Sequence, residues 1–201
     1  MFNNIRFNDV PQTLDHLRRS AARLVTVLLL SLCVLVNGTA AMDLESADSG
    51  RALSRIEREV RHELVMLPFY GVFDNLSFKV NGGTVTLMGQ VSRPTLKSDA
   101  ERVVKGIEGV ERVINDIEIL PLSLHDDEIR MATYRAIFGN TALNRYVLRA
   151  VPPIHIVVKN GNVMLEGVVA NEADKNIAAL QANSVPGVFS VTNNLRVERQ
   201  G

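Results

Sequence analysis

Residues 80–91 read Val-Asn-Gly-Gly-Thr-Val-Thr-Leu-Met-Gly-Gln-Val, and residues 158–169 read Val-Lys-Asn-Gly-Asn-Val-Met-Leu-Glu-Gly-Val-Val. The two stretches lie 78 residues apart, and the same offset holds without a gap to Ile119 and Val197. A repeat of this length is one small folded unit used twice. The matched positions are turn glycines and core apolar residues, so they describe a scaffold and contain no catalytic constellation.

Each copy predicts the order helix, strand, strand, helix, strand. Apolar residues recur at spacings of three and four before Pro68, which indicates a helix; they are Leu53, Ile56, Val60 and Leu64. Alternating residues predict strands on both sides of the turn at residues 81–83. Gly89 falls on the apolar face of the second strand, where we expect a helix to cross. The third strand is expected over residues 110–119, with three residues facing inward: Val113, Ile117 and Ile119.

The fold class predicted is α+β: two tandem α-β-β-α-β units, each a three-stranded mixed sheet with two helices packed on it. The units cover residues 52–120 and 126–199, joined by a linker at 121–125. Asp126 is expected to cap the first helix of the second unit. That helix matches its counterpart at an offset of 73, so five extra residues fall within residues 139–153. Such loops tolerate insertions and carry function.

The N-terminus is typical of a secretory signal peptide. Four arginines precede an apolar run of 13 residues, 24–36, which small residues follow. We therefore predict a signal peptide over residues 1–41 and a flexible leader over 42–51. Cys33, the only cysteine, would be lost with the signal. The chain is therefore expected to be exported; the alternative is anchoring to a membrane by an uncleaved signal.

Charge and composition exclude several classes of function. The 22 basic and 22 acidic residues become 18 and 20 without residues 1–41, a net charge of −2, so no nucleic acid partner is expected. The four histidines show no ligand spacing, and we expect no metal, no cofactor and no catalytic residue. The Gly-Ile-Glu-Gly stretch at residues 106–109 is better explained as a helix stop than as a nucleic-acid clamp.

At this point the chain resembles the BON domain of bacterial envelope proteins. The resemblance rests on V-x-N-G-x-V-x-L-x-G-x-V, an Ala-rich helix, and G-V-x-x-V-x-N-x-[IL]-x-V, present in both copies. Gly82-Gly83 in the first copy departs from the single glycine that is usual. The resemblance implies a non-enzymatic envelope protein located in the periplasm or, if the signal is not cleaved, anchored to the inner membrane. It also implies binding of phospholipid surfaces, a part in osmotic or envelope stress, or assistance to secreted proteins.

One stretch stands out by charge. Residues 129–165 contain no Asp or Glu but several basic and aromatic residues. Basic residues beside amphipathic aromatics suit an anionic lipid surface. We select Arg145, Tyr146 and Arg149, because they lie at the loop insertion. The other interpretation is that these are ordinary solvated charges and core apolar residues.

The sequence therefore predicts a protein that binds anionic phospholipid membrane surfaces or envelope proteins, mainly through its second unit. The alternative is a periplasmic chaperone or adaptor for secreted proteins. A small-solute or glycan binder is a third hypothesis, but the chain has no Trp to form a stacking platform.

Overall fold

The computed structural model describes residues 50–149 and 151–198; the predicted signal peptide and residues 42–49 of the leader lie outside them. The first repeat contains α1 (50–65), β1 (Asn75–Asn81), β2 (Thr84–Val91), α2 (Pro94–Lys105), β3 (Arg112–Asn115) and β4 (Glu118–Ile119). The second repeat contains α3 (Leu124–Phe138), a 3-10 helix (Asn144–Leu148), β5 (Ile154–Lys159), β6 (Asn162–Val169), α4 (Glu172–Asn183), β7 (Ser190–Asn193) and β8 (Arg196–Val197).

Both sheets are mixed and have the same topology. In the first, β1 runs antiparallel to β2, and β3 and β4 pair parallel to the other side of β2. In the second, β5, β6, β7 and β8 repeat the arrangement. The predicted α+β class with two similar units is confirmed, with the third strand of each unit divided in two.

A matched asparagine makes each of these divisions. Asn115 donates from Nδ2 to the Lys97 carbonyl, 2.9 Å away, and its Oδ1 accepts from the Ile117 N–H at 3.3 Å. Asn193 makes the equivalent bonds at 2.9 and 3.2 Å. Both asparagines therefore bond to backbone where the third strand of their unit is divided. The division also changes which residues face inward: Ile117 is buried, but Ile119 is 43% exposed, so its predicted inward position was wrong.

The prediction for Gly89 was also wrong. Gly89 has φ +114°, and a Cβ there would lie 2.0 Å from the Asn75 carbonyl oxygen. The element that approaches is therefore the backbone of the neighbouring strand β1, not a crossing helix. Gly167 repeats the geometry, with φ +120° and the Pro153 oxygen at 2.0 Å. A glycine on a strand shows that something packs close, but not which element does so.

Helix α3 begins earlier than predicted. Ser123 is the N-cap, and its side chain accepts from the Asp126 N–H. The Asp126 carboxylate is buried and accepts instead from Asn160 N–H at 2.9 Å and Gly161 N–H at 2.8 Å. Asp126 therefore holds the hairpin turn between β5 and β6 against the start of α3.

The two repeats each have an apolar core, and one segment joins them. Residues 70–74, called the docking segment here, connect α1 to β1 and lie against the second repeat. Val72 and Phe73 pack against the second core, and Phe73 meets Tyr134 edge-on at 6.1 Å between ring centroids. The Ile156 N–H of β5 donates to the Val72 carbonyl at 2.7 Å. The first repeat thus contributes directly to the edge of the second sheet.

Candidate functional site

The predicted site residues lie on the 3-10 helix and directly after it. Tyr146 is only 7% exposed. Its hydroxyl donates to Asp174 Oδ2 at 2.5 Å and accepts from the Ala170 N–H at 2.9 Å. Tyr146 therefore anchors the inserted loop to the start of α4. Its hydroxyl is directed into the repeat, although the charge pattern predicted an aromatic side chain at the surface.

Arg145 extends this network toward solvent. Its guanidinium bonds to Asp174 and to the Tyr146 hydroxyl, and it lies 5.0 Å from the centre of the Tyr146 ring. The hydrogen bond to Tyr146 raises the pKa of Arg145, and the nearby Asp174 acts in the same direction. The side chain is 52% exposed, so part of its charge is balanced by a buried carboxylate and part faces the solvent.

Arg149 is the exposed member of the predicted set. It makes no hydrogen bond or ion pair with any residue in the described part of the chain. Leu148 beside it is 85% exposed. We refer to Leu148 and Arg149 as the tip of the second repeat, because a large apolar side chain and a cation are both exposed at these adjacent positions.

Arg145, Tyr146 and Arg149 also converge with the first repeat. They line an open groove of ≈ 1710 Å³ between the repeats, together with the whole of β1 and parts of α1, β6 and β8. Five cationic side chains line it: Arg61, Lys79, Arg145, Arg149 and Arg196. Three acidic ones, Glu57, Glu166 and Glu198, leave an excess of 5 − 3 = +2. Arg61, Lys79 and Arg196 were missed from the sequence, because they are distant along the chain and no local pattern connects them.

The groove depends on the docking segment, which holds the repeats together. Tyr70 stacks on His155 at 5.6 Å between centroids, and His155 Nδ1 lies 3.3 Å from the Gly71 carbonyl. Burial raises the pKa of Tyr70 to about 12. Burial likewise lowers the pKa of His155, which favours a neutral imidazole that donates to Gly71. Asp74 is buried and accepts from the Ser92 N–H at 2.7 Å, which secures the end of the segment.

The other patterns noted in the sequence serve the scaffold. Gly106 caps the C-terminus of α2, and Gly109 has φ +91° close to the Ile56 side chain, so the Gly-Ile-Glu-Gly stretch ends a helix as predicted. Within residues 50–149 and 151–198, no three His, Cys, Asp or Glu side chains are grouped to hold a metal ion. None of the helices in those ranges is long and apolar enough to cross a membrane.

The chain matches the family model of the BON domain over residues 52–121 and 140–199. Osmotically-inducible protein Y of Escherichia coli (strain K12) is 30% identical over 132 residues, which are 62% of this chain and 62% of that protein. Two structures of CdsD, a structural protein of the type III secretion system of Chlamydia trachomatis, are 14% identical and cover 71% and 72% of this chain, and 96% and 92% of their own. Both have a TM-score of 0.25, so neither structure superposes on this chain as a whole.

Proposed function

This chain belongs to the BON domain family, and we propose that it is a non-enzymatic protein of the bacterial envelope that binds anionic phospholipid surfaces reversibly. BON domains are a non-catalytic family, which supports a binding role. The name of the related osmotically-inducible protein Y supports a role under osmotic stress, and the signal peptide predicted over residues 1–41 supports a location in the periplasm.

The observation that carries the lipid proposal is the tip of the second repeat. Leu148 has little contact with the fold, and Arg149 has no acidic partner in the described chain. An apolar side chain that enters the headgroup region gains about 1.5–3 kcal/mol if fully buried. A nearby cation adds about 1 kcal/mol on an anionic leaflet. Binding by one such tip is weak and reversible, and cations at the groove rim strengthen it when they reach the same surface.

Tyr146 and Arg145 have a supporting part in this proposal. Tyr146 fixes the 3-10 helix to α4 through Asp174, and this rigid attachment presents the tip outward. Arg145 also contributes positive charge at the surface, because its side chain is 52% exposed. The five-residue expansion of the second repeat is therefore proposed as the feature that separates a membrane-facing repeat from the first one.

The test is co-sedimentation of the purified protein with vesicles that contain phosphatidylglycerol. Arg149→Glu and Leu148→Asp are expected to reduce the bound fraction several-fold, and salt is expected to reverse the electrostatic part. Arg112→Glu is the matched control for charge, because Arg112 is exposed on β3, at the edge of the first sheet opposite β1. Leu180→Asp is the matched control for the apolar residue, since Leu180 is 68% exposed on α4. Equal losses in variants and controls, or no binding at low salt, would refute the proposal.

A further inference from the structure

The outer edge of β1 has a backbone pattern suited to a partner strand. β1 is the first strand of its sheet and, among the strands of residues 50–149 and 151–198, pairs only with β2. A two-residue turn joins the two strands so that Asn81 faces Thr84. In a hairpin of this kind the closing pair is hydrogen-bonded, and bonded pairs alternate along the ladder. Lys79 and Ser77 therefore bond inward to β2. The N–H and C=O groups of Phe78 and Val80 point away from it.

The second repeat shows what such an edge accepts. At the offset of 78, Phe78 and Val80 correspond to Ile156 and Val158 in β5. The Ile156 N–H donates to Val72 at 2.7 Å, and the Val158 carbonyl accepts from Arg130 Nη2 at 2.8 Å. The edge of β5 is thus contacted by the carbonyl of a turn in the first repeat and by one guanidinium from α3.

The edge of β1 has neither partner. At the helix offset of 73, Arg130 corresponds to Glu57, and a carboxylate cannot donate to the Val80 carbonyl. The outward groups of Phe78 and Val80 bond to no residue in the described ranges. The pairing of β1 with β2 runs without a bulge over residues 75–81, and no proline interrupts it. Open, regular edges of this kind are templates for strand addition.

We propose that the outer edge of β1 is a strand-addition site that takes an extended segment of another polypeptide. The segment would run through the groove beside residues 77–80, a length of about 13 Å at roughly 3.3 Å per residue, because the Leu76 backbone already bonds to the Tyr70 hydroxyl. Main-chain bonds to Phe78 and Val80 would supply sequence-tolerant affinity, as in other cases of β-augmentation. Alternate side chains would set the preference.

The surroundings define the chemistry of that segment. On one face the half-buried side chains of Leu76, Phe78 and Val80 lie with Leu64 and Val65 of α1, so apolar residues fit there. The rim carries the excess of two positive charges, so acidic residues fit on the other positions. A lipid has no alternating N–H and C=O groups to match the edge. A second copy of this chain would bring its own groove cations against the same cations of the first copy. A single extended segment of another polypeptide would not meet this repulsion.

The experiment uses the full protein with a labelled eight-residue probe, Thr-Val-Glu-Val-Thr-Val-Glu-Val. Hydrogen exchange followed by NMR is expected to show the Phe78 and Val80 amides unprotected in the free protein and protected at least tenfold with saturating probe. The Lys79 amide, bonded to β2, and the Ile156 amide, bonded to Val72, are internal controls protected in both states.

Two substitutions test the same groups. Val80→Pro removes the outward N–H but no bond to β2. It is expected to lower the affinity for the probe about tenfold or more. Val80→Ala keeps that N–H and is expected to lose about threefold. Glu57→Arg places on α1 a guanidinium equivalent to that of Arg130, which bonds to the edge of β5. It is therefore expected to weaken binding of the probe although it adds positive charge. Glu57→Gln removes the charge alone and separates the two effects.

Four outcomes would overturn the proposal. Binding could occur without protection of Phe78 and Val80. Glu57→Arg could raise the affinity for the acidic probe, as a simple charge effect would. Vesicles alone could protect both amides, which would assign the edge to lipid. Protection that grows with protein concentration, together with a dimer in sedimentation, would assign it to a second copy.

Discussion

Strands β1 and β5 occupy the same position in two copies of one fold, yet their outer edges differ. The edge of β5 is closed by the Val72 carbonyl and by Arg130, whereas that of β1 faces an open groove. Only a few residues separate the two states, among them Glu57 where α3 has Arg130. The comparison shows that the repeat supplies a common sheet, and that residues outside the shared motif determine which edge is available to a partner.

The largest expected effect concerns what the repeats share. Gly89→Ala and Gly167→Ala each place a Cβ 2.0 Å from a neighbouring carbonyl oxygen at strongly positive φ. We expect each to lower the free energy of unfolding by about 3 kcal/mol or more, measured by urea denaturation. Gly82→Ala is the control: its φ is +58°, but no atom lies within 4 Å, so backbone strain alone costs about 1 kcal/mol. Equal losses at Gly82 and Gly89 would show that the close strand approach is not the cause.

The next effect tests where the repeats differ. Arg130 has a side chain only 7% exposed and bonds to the Val158 carbonyl. Arg130→Met keeps the apolar stem but leaves that carbonyl without its donor, and we expect a loss of about 2 kcal/mol in thermal or urea unfolding. The matched change Glu57→Met in the first repeat removes no donor and is expected to stay within about 0.5 kcal/mol. If the two changes are equally harmful, the edges are not distinguished by this residue.

A smaller loss is expected at the anchor of the inserted loop. At the offset of 78, the buried Asp174 of α4 replaces the buried Leu96 of α2. Tyr146→Phe removes the hydroxyl that satisfies Asp174 and the Ala170 N–H, so we expect about 1.5 kcal/mol of destabilisation. Tyr134→Phe in the same repeat is the control, since its ring contacts Phe73 and Phe138 through the aromatic faces and edges. If Tyr146→Phe is as stable as Tyr134→Phe, the Tyr146 hydroxyl does not anchor the inserted loop that carries the tip.

Local patterns were sufficient to predict the scaffold. Alternation and turn residues predicted both hairpins and the position of each third strand, although not its division, because each depends on neighbours within one unit. Gly89 was misassigned because a missing side chain does not identify the atom that replaces it. Tyr146 was assigned to the surface because its partner Asp174 is 28 residues away and the sequence gives no sign of their contact.

The groove could not be predicted for a related reason. Its cations come from α1, β1, the inserted loop and β8, and they meet because contacts between the repeats, those of the docking segment among them, place one repeat against the other. That placement depends on Val72 and Phe73, which in the sequence resemble ordinary loop residues before a strand. The open edge of β1 likewise has no local sequence signal, because it depends on which groups of other elements reach the strand.

The smallest expected effect tests the contact that joins the two edges. His155 in β5 corresponds to Ser77 in β1, so only the second repeat carries a titrating group at this position. Burial is the main cause of the lowered pKa of His155 and outweighs the Gly71 hydrogen bond and the carboxylates of Asp74 and Glu166, which favour the charged form. The folded protein therefore binds this proton less readily than the unfolded chain, whose histidine titrates near pH 6.5.

Because the folded pKa is the lower one, the stability from neutral His155 is fully present above about pH 6.5 and is lost as the pH falls through the folded pKa. Urea unfolding between pH 7.5 and 5 is expected to show less of this decline in His155→Gln than in the unmodified protein. His62→Gln removes one exposed imidazole from α1 and serves as the control. Since His155 stacks on Tyr70, its protonation is expected to loosen the docking segment before either core, and exchange at the Ile156 amide should report that step first. An unchanged pH dependence in His155→Gln would place the acid sensitivity outside this contact.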